Sequence, residues 1–317
     1  MKLEKAIDLY IKARKGVISP DTVKWYEAKL RRLLGHLGDV GIDSITTEDL
    51  NDWRASLFSR HLSEQTIDGY VRAVRTFFKW LKQKKRIEVD PADELERPAL
   101  PDIPPKRISR DSIVALLRAA MGAGRVDLAR DHGFADIRDY ALIRFFVMTG
   151  ARQGGVVGLR LGDLNLGDCS ALVHEKGSKT RVIYFDPDTA EALQLYVEVR
   201  PPVSHDWLWV THRGVRLTAS GTRQVLRRVA QRAGLPDVGT HRLRHTFAFE
   251  SITNRVDPEI LRRQLGHAQL TTTYRNYIRW SNDHQKRAFE TPWLGDLFDP
   301  ANTPAPKLRL VKKPQVG

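Results

Sequence analysis

Residues 240–245 read Thr240-His241-Arg242-Leu243-Arg244-His245, a stretch that opens as a helix and repeats its polar groups at helical spacing. His241, Arg244 and His245 fall three and four residues apart, so they share one face. An imidazole can move protons near neutral pH and a guanidinium can fork onto an oxyanion. Outward from this stretch stand Thr149-Gly150-Ala151-Arg152 and Lys176-Gly177 on one side. Leu265-Gly266-His267 and then Tyr277 stand on the other. Taken together, Arg152, Lys176, Arg244, His241, His267 and Tyr277, three cations, two histidines and a tyrosine without an acidic cluster beside them, suit chemistry on a phosphodiester. The cations hold phosphate oxygens, a histidine exchanges protons, and a phenol attacks phosphorus.

The composition agrees with an anionic partner. The chain has 317 residues and a formal net charge of +14, a field that concentrates polyanions, nucleic acid first among them. Its length accommodates two domains with a core each. A single cysteine, Cys169, excludes an internal disulfide and any cysteine-based zinc site, and it fits a reducing compartment. No apolar run approaches the ~18 residues needed to span a membrane, and Met1-Lys2-Leu3-Glu4-Lys5 has no signal-peptide core. The expectation is a soluble cytoplasmic chain, associated with the nucleoid when bound to DNA, with no membrane partner.

Residues 1–86 read as helices. Ala6, Leu9 and Tyr10, with Ile7 and Ile11 nearby, give the first its apolar side. Ser19-Pro20 is an N-cap followed by proline at the first helical position. Thr47-Glu48-Asp49-Leu50 starts a third helix with its acids well placed for the helix dipole. Ser63 opens a long fourth helix through Tyr70, Val74, Phe77, Phe78 and Leu81. That helix and the residues just after it carry Arg72, Arg75, Lys79, Lys82, Lys84, Lys85 and Arg86, enough cations to neutralise several phosphates at once. Phe77 and Phe78 read as core. Pro91, Pro98, Pro101, Pro104 and Pro105 then make 87–108 a semi-extended linker. Beyond it, Ser109 caps a helix to Met121, and residues 122–136 read as a loop. Asp136 caps a buried helix from Ile137 to Met148, which Gly150 ends. Residues 171–174 and 181–184 form a β-hairpin around the turn at Lys176. Helices resume at Pro187, Thr218, Thr240, Pro258 and Thr271.

The ordered series Arg152, Lys176, His241, Arg244, His267, Tyr277 resembles the tyrosine recombinases, the phage-type integrases and related site-specific recombinases, over most of residues 105–280. The resemblance implies a fold that is mainly α with a small β-hairpin or sheet, arranged as a two-domain C-shaped clamp. Residues 1–86 match a helical, SAM-like core-binding domain, 87–108 the linker, 109–290 the catalytic domain, and 291–317 a C-terminal segment with a basic tail. It further implies site-specific recombination of double-stranded DNA through a 3′-phosphotyrosyl link to Tyr277. Arg152 and Arg244 hold the phosphate and His267 hydrogen-bonds it. His241 helps move the tyrosine's proton, and Lys176 protonates the departing 5′ oxygen, with Lys179 as its rival. Bond energy stays in the covalent link, so no cofactor and no metal is expected. A homotetramer on paired sites is implied, with an accessory recombinase or DNA-bending protein as a further partner. Arg72, Arg75, Lys79 and Lys82 are the DNA contacts expected of the first domain. Pro292-Trp293-Leu294 with Leu297 and Phe298 offers a contact within the chain or to a neighbouring subunit. His245 reads as a structural helix residue.

Two positions depart from the pattern. The acid common three residues after the first arginine is Gly155 here. The usual nine-residue step from the Leu-Gly-His histidine reaches Asn276, leaving Tyr277 at ten and Tyr274 at seven as the candidate nucleophiles. Tyr277 is favoured by the Thr272-Thr273 pair before it. Three other readings stay open: a recombinase-fold protein that binds DNA with weakened or absent cutting, a strand-relaxing type IB topoisomerase, and a helical transcription factor. The last leaves the ordered polar series unexplained.

Overall fold

The computed structural model describes residues 1–101, 105–122, 133–175, 179–236 and 238–277. The C-terminal contact at Pro292–Phe298 and the basic tail lie outside the described residues, as does the turn that carries Lys176. The chain divides into two units, Met1–Ile103 and Pro104–Gly317.

The first unit is built on α1 (Leu3–Arg14), α2 (Pro20–Leu37), α3 (Thr47–Phe58) and α4 (Glu64–Gln83). Local chemistry sets three of these starts. Ser19 and Ser63 accept the amides of Thr22 and Thr66, while Thr46 and Asp49 close a capping box one residue before the expected start of α3. Each cap satisfies an amide that the first turn leaves without a helical partner. Tyr10 meets Tyr26, Phe77 and Trp80 edge to face at 5.3–5.5 Å, and Phe77 and Phe78 are fully buried as expected. Part of the proline-rich stretch joins this core. Ile87, Ala92 and Leu95 are buried in it, and the Arg75 guanidinium donates to the Leu95 carbonyl at 2.8 Å.

The second unit contains α5 (Arg110–Ala120), α6 (Phe134–Thr149), α7 (Gln153–Val157), α8 (Pro187–Val199), α9 (Ala219–Arg232), α10 (Thr240–Thr253), α11 (Pro258–Leu265) and α12 (Leu270–Asn276). A three-stranded antiparallel sheet of β1 (Leu164–Asn165), β2 (Ser170–Glu175) and β3 (Lys179–Tyr184) completes it. The register pairs Ala171 with Ile183 and Val173 with Arg181. Ala171, Val173 and Ile183 therefore enter the core while Leu172 and Val182 face out, the alternation a half-covered sheet requires. α6 packs on α5, α8 and α10 and is apolar on nearly all sides, which is why its sequence shows little amphipathic period.

Three features differ from the sequence reading. α6 begins at Phe134, with Gly133 as the cap, and Asp136 stands in the first turn. Phe134 reaches the ring of Tyr196, so tertiary packing extends the helix past the acid taken for its cap. A short strand, β1, adds an edge to the expected hairpin. α7 forms over a Gly-Gly pair of low helix propensity, with Gly155, Val156 and Val157 buried.

Candidate active site

Two glycines in left-handed backbone conformation place the ends that form the site. Gly150 (φ +59°) ends α6, and a β-carbon there would collide with the Phe247 ring. The chain turns directly into Ala151 and Arg152. Gly266 (φ +67°) ends α11, where a β-carbon would strike the Arg181 guanidinium. Its conformation lets the His267 amide return to the Arg262 carbonyl at 3.1 Å, the reverse turn that commonly closes a helix. Arg262 also donates to the His267 carbonyl at 2.7 Å, so the backbone of His267 is held from both sides.

Arg244 projects from α10 into this junction and is buried. Its guanidinium donates to the Gly150 carbonyl at 2.8 Å, to the Leu265 carbonyl at 2.8 Å and to His267 Nε2 at 2.9 Å. Burial, with the like charge of Arg152 next, pulls its pKa down to about 10, leaving it a cation at neutral pH. Because a guanidinium has no acceptor, His267 Nε2 must accept, and the ring proton sits on Nδ1. Nδ1 then donates to Thr273 Oγ1 at 2.8 Å. Burial, followed by the charge of Arg244, lowers the His267 pKa to about 4, in keeping with that neutral tautomer.

Arg152 caps the start of α7, partly open to solvent. Its guanidinium donates to Glu175 Oε1 at 2.7 Å and to the Gly266 carbonyl at 3.0 Å. Arg181, on β3, pairs with the same Glu175 oxygen at 2.6 Å. Arg152 and Arg181 are each near enough to Arg244 to depress its pKa. Three guanidiniums around one carboxylate leave an excess of positive charge, relieved when an anion enters.

Tyr277 follows α12 and is 1% exposed. Its ring stacks on His267 (6.1 Å between centroids, 10° between planes) and meets Phe249 edge to face at 5.9 Å. The hydroxyl lies 3.0 Å from His245 Nδ1. Burial raises the phenol's pKa, against the opposing charges of Arg244 and Arg152. Tyr274, three residues earlier, is 57% exposed. His241 is exposed on the first turn of α10, close enough to His245 to contribute to lowering that imidazole's pKa.

Of the residues anticipated, Arg152, Arg244, His267 and Tyr277 come together, His241 stands at the rim, and Lys176 lies outside the described residues. The first-unit cations divide. Arg72, Lys79 and Lys82 are exposed on α4, whereas Arg75 is half-buried against the Leu95 carbonyl. Four site residues escaped the sequence reading: Glu175, Arg181, His245 and Thr273. Two of them had signals, since Glu175 directly precedes Lys176 and His245 directly follows Arg244. At Gly155, a β-carbon would meet Val173 at 3.5 Å in ordinary contact. The carboxylate that orients Arg152 comes from β2.

The phage integrase family matches residues 106–284, and the family's N-terminal SAM-like domain matches residues 8–86. The chain is 30% identical to the tyrosine recombinase XerC of Alcanivorax borkumensis over 261 residues, 81% of this chain and 82% of that protein. It is 28% identical to XerC of Staphylococcus carnosus over 288 residues, 89% and 94% of the two chains. In fold it is similar to the Tn1549 transposon integrase in complex with transposon right end DNA. The TM-score is 0.73 at 21% identity, over 92% of this chain and 99% of that one.

Proposed function

The chain belongs to the phage integrase family, the tyrosine recombinases, and from that premise we propose how it carries out site-specific DNA recombination. Tyr277 is the nucleophile. Its Oη bonds to the scissile phosphorus, the bond to the 5′ oxygen breaks, and the strand is held by a 3′-phosphotyrosyl link. Arg152 and Arg244 fork onto the non-bridging oxygens, where negative charge grows in the pentacoordinate transition state. His267 stands at the same phosphate, His241 exchanges protons at the rim, and Lys176 protonates the leaving 5′ oxygen. Attack by a 5′ hydroxyl of a second duplex reseals the strand without an external energy source.

The observation that carries this reading is the convergence of Arg152, Arg244 and His267 beside a buried Tyr277, while Tyr274 faces solvent. A non-cutting DNA binder rested on Gly155. Glu175 now supplies the carboxylate that orients Arg152, which favours the enzyme. In this reading residues 1–86 form the core-binding domain, with Arg72, Lys79 and Lys82 on phosphates and Arg75 contributing charge. A homotetramer on two paired sites in the cytoplasm is the working assembly, and an accessory recombinase or bending protein is its further partner.

The test is capture of covalent adducts from a random duplex library containing nicked traps. Wild type should yield adducts at a defined sequence, Tyr277→Phe none, and Tyr274→Phe as much as wild type. Loss in Tyr274→Phe alone, or enrichment of one duplex without any adduct, contradicts the reading.

A further inference from the structure

A phenol whose pKa is raised by burial needs a base at the moment it attacks. Two histidines, His245 and His267, touch Tyr277, a third, His241, lies one turn before His245 on α10, and their hydrogen bonds separate them. His267 stacks flat on the tyrosine but has no lone pair to offer, because Nε2 accepts from Arg244 and Nδ1 donates to Thr273. His241 is exposed on the first turn of α10, and no hydrogen bond joins it to Tyr277 among the described residues. Of the three, only His245 is bonded to the hydroxyl, through Nδ1 at 3.0 Å.

We propose that His245 is a catalytic residue, the base whose Nδ1 takes the Tyr277 proton as Oη bonds to phosphorus. The inference rests on the assignment of Tyr277 as nucleophile. The step balances: the Oη–P bond forms, the P–O5′ bond breaks, and the phenolic proton passes to Nδ1 while Lys176 gives a proton to O5′. In resealing, His245 returns its proton to the departing phenol.

The surroundings fit a transient acceptor. On its own helix the imidazole neighbours Arg244 and, one turn back, His241. Burial first, then these two groups, hold its pKa below the usual histidine value. The ring is therefore neutral at pH 7, with its Nδ1 lone pair available. Once protonated it is a cation beside Arg244, with Arg152 and His267 around the same tyrosine, and so is inclined to give the proton back. Phe249, one turn further along α10, packs edge-on against Tyr277 and fixes the ring that His245 must meet.

The experiment uses full-length protein and a nicked duplex of the sequence that wild type captures from the library. His245→Ala removes the imidazole. His245→Asn keeps an acceptor near the Nδ1 position but cannot take the proton at neutral pH. Both variants should bind the duplex with wild-type affinity and form adduct at least ~100-fold more slowly, the scale of general-base catalysis. Added imidazole should restore part of the rate in His245→Ala only. Adduct formation by His245→Asn within about threefold of wild type, or faster, would show that His245 merely holds the tyrosine and overturns the proposal. Absence of adduct in wild type is a separate result: it refutes the nucleophile assignment, and the base falls with it. Circular dichroism and duplex binding identify a variant that has not folded. In that case the decision passes to the more conservative His245→Asn and to the wild-type pH–rate profile, which should lose rate as His245 is protonated. An acid limb that survives unchanged in His245→Asn counts against the proposal.

Discussion

The core of the first unit and the core under the active site are held together by different physics. In the first, aromatic and aliphatic side chains from α1, α2, α3 and α4 bury one another, and Asp68, buried among them, is paired with Arg97. Under the site, α10, α11 and Tyr277, just past α12, share a small apolar cluster, and Arg244, His267 and Thr273 are buried beside it. Apolar burial is non-directional and tolerates volume-conserving exchange. A buried polar junction is directional, and removing one member leaves its partners desolvated and unpaired. The comparison teaches that stability and chemistry are separable in the first unit and tied together in the second.

The sharpest way to break that contrast is Arg244→Ala. It strands two buried carbonyls and His267 Nε2, so stability should fall by about 2–3 kcal/mol. Adduct formation should fall at least ~100-fold if the donor proposed for the transition state is lost. Arg72→Ala, on the exposed face of α4, should change stability by less than about 0.5 kcal/mol. Urea denaturation beside adduct kinetics compares the two.

Backbone positions offer a second comparison. Gly150 and Gly234 both adopt positive φ, at +59° and +67°, but a β-carbon at Gly234 meets nothing within 4 Å while one at Gly150 strikes Phe247. Gly234→Ala, in the turn that closes α9, should therefore cost only about 1 kcal/mol of backbone strain. Gly150→Ala should cost about 3 kcal/mol and disturb adduct formation as well. Equal losses in thermal and chemical unfolding would mean that the junction yields more easily than its packing indicates.

Acid should expose the same difference. His267 has a folded pKa near 4 against 6.5 in the unfolded chain. Between those values the unfolded chain binds more protons, so stability rises with pH across the window. The His267 contribution is complete above about pH 6.5 and is lost as pH falls toward 4. His267→Asn should show a shallower acid limb over that range, with the part due to His245 retained. An acid limb as steep as that of wild type contradicts the neutral tautomer.

The smallest effects belong to the surface of α4. Lys79→Ala and Lys82→Ala should each reduce the slope of log affinity against log salt by about 1, as expected when one phosphate contact is removed. The rate of adduct formation on saturating DNA should not change. An unaltered salt slope removes those lysines from the interface.

Much of the fold is legible in the sequence because its signals are local. Ser19, Ser63 and Ser109 each cap the helix that follows them, and the alternation at 171–174 and 181–184 marks the hairpin. α7 is illegible because burial against β2 and α9, and not propensity, makes Gln153–Val157 helical. In the site, Arg152, Arg244, His267 and Tyr277 stand in recognisable surroundings. The bond from His245 to Tyr277 joins residues 32 apart, and the helical periodicity that made His245 look structural says nothing about what its face meets. Glu175 was hidden for a related reason: the usual acid is missing at Gly155, and the carboxylate that pairs with Arg152 comes from another element.

Mass-spectrometric mapping of the trapped protein–DNA adduct decides whether Tyr277 carries the covalent chemistry. After nuclease and protease digestion, a nucleotide joined through its 3′ phosphate to the Tyr277 side chain is expected. A nucleotide on Tyr274, or one joined through a 5′ phosphate, would contradict it.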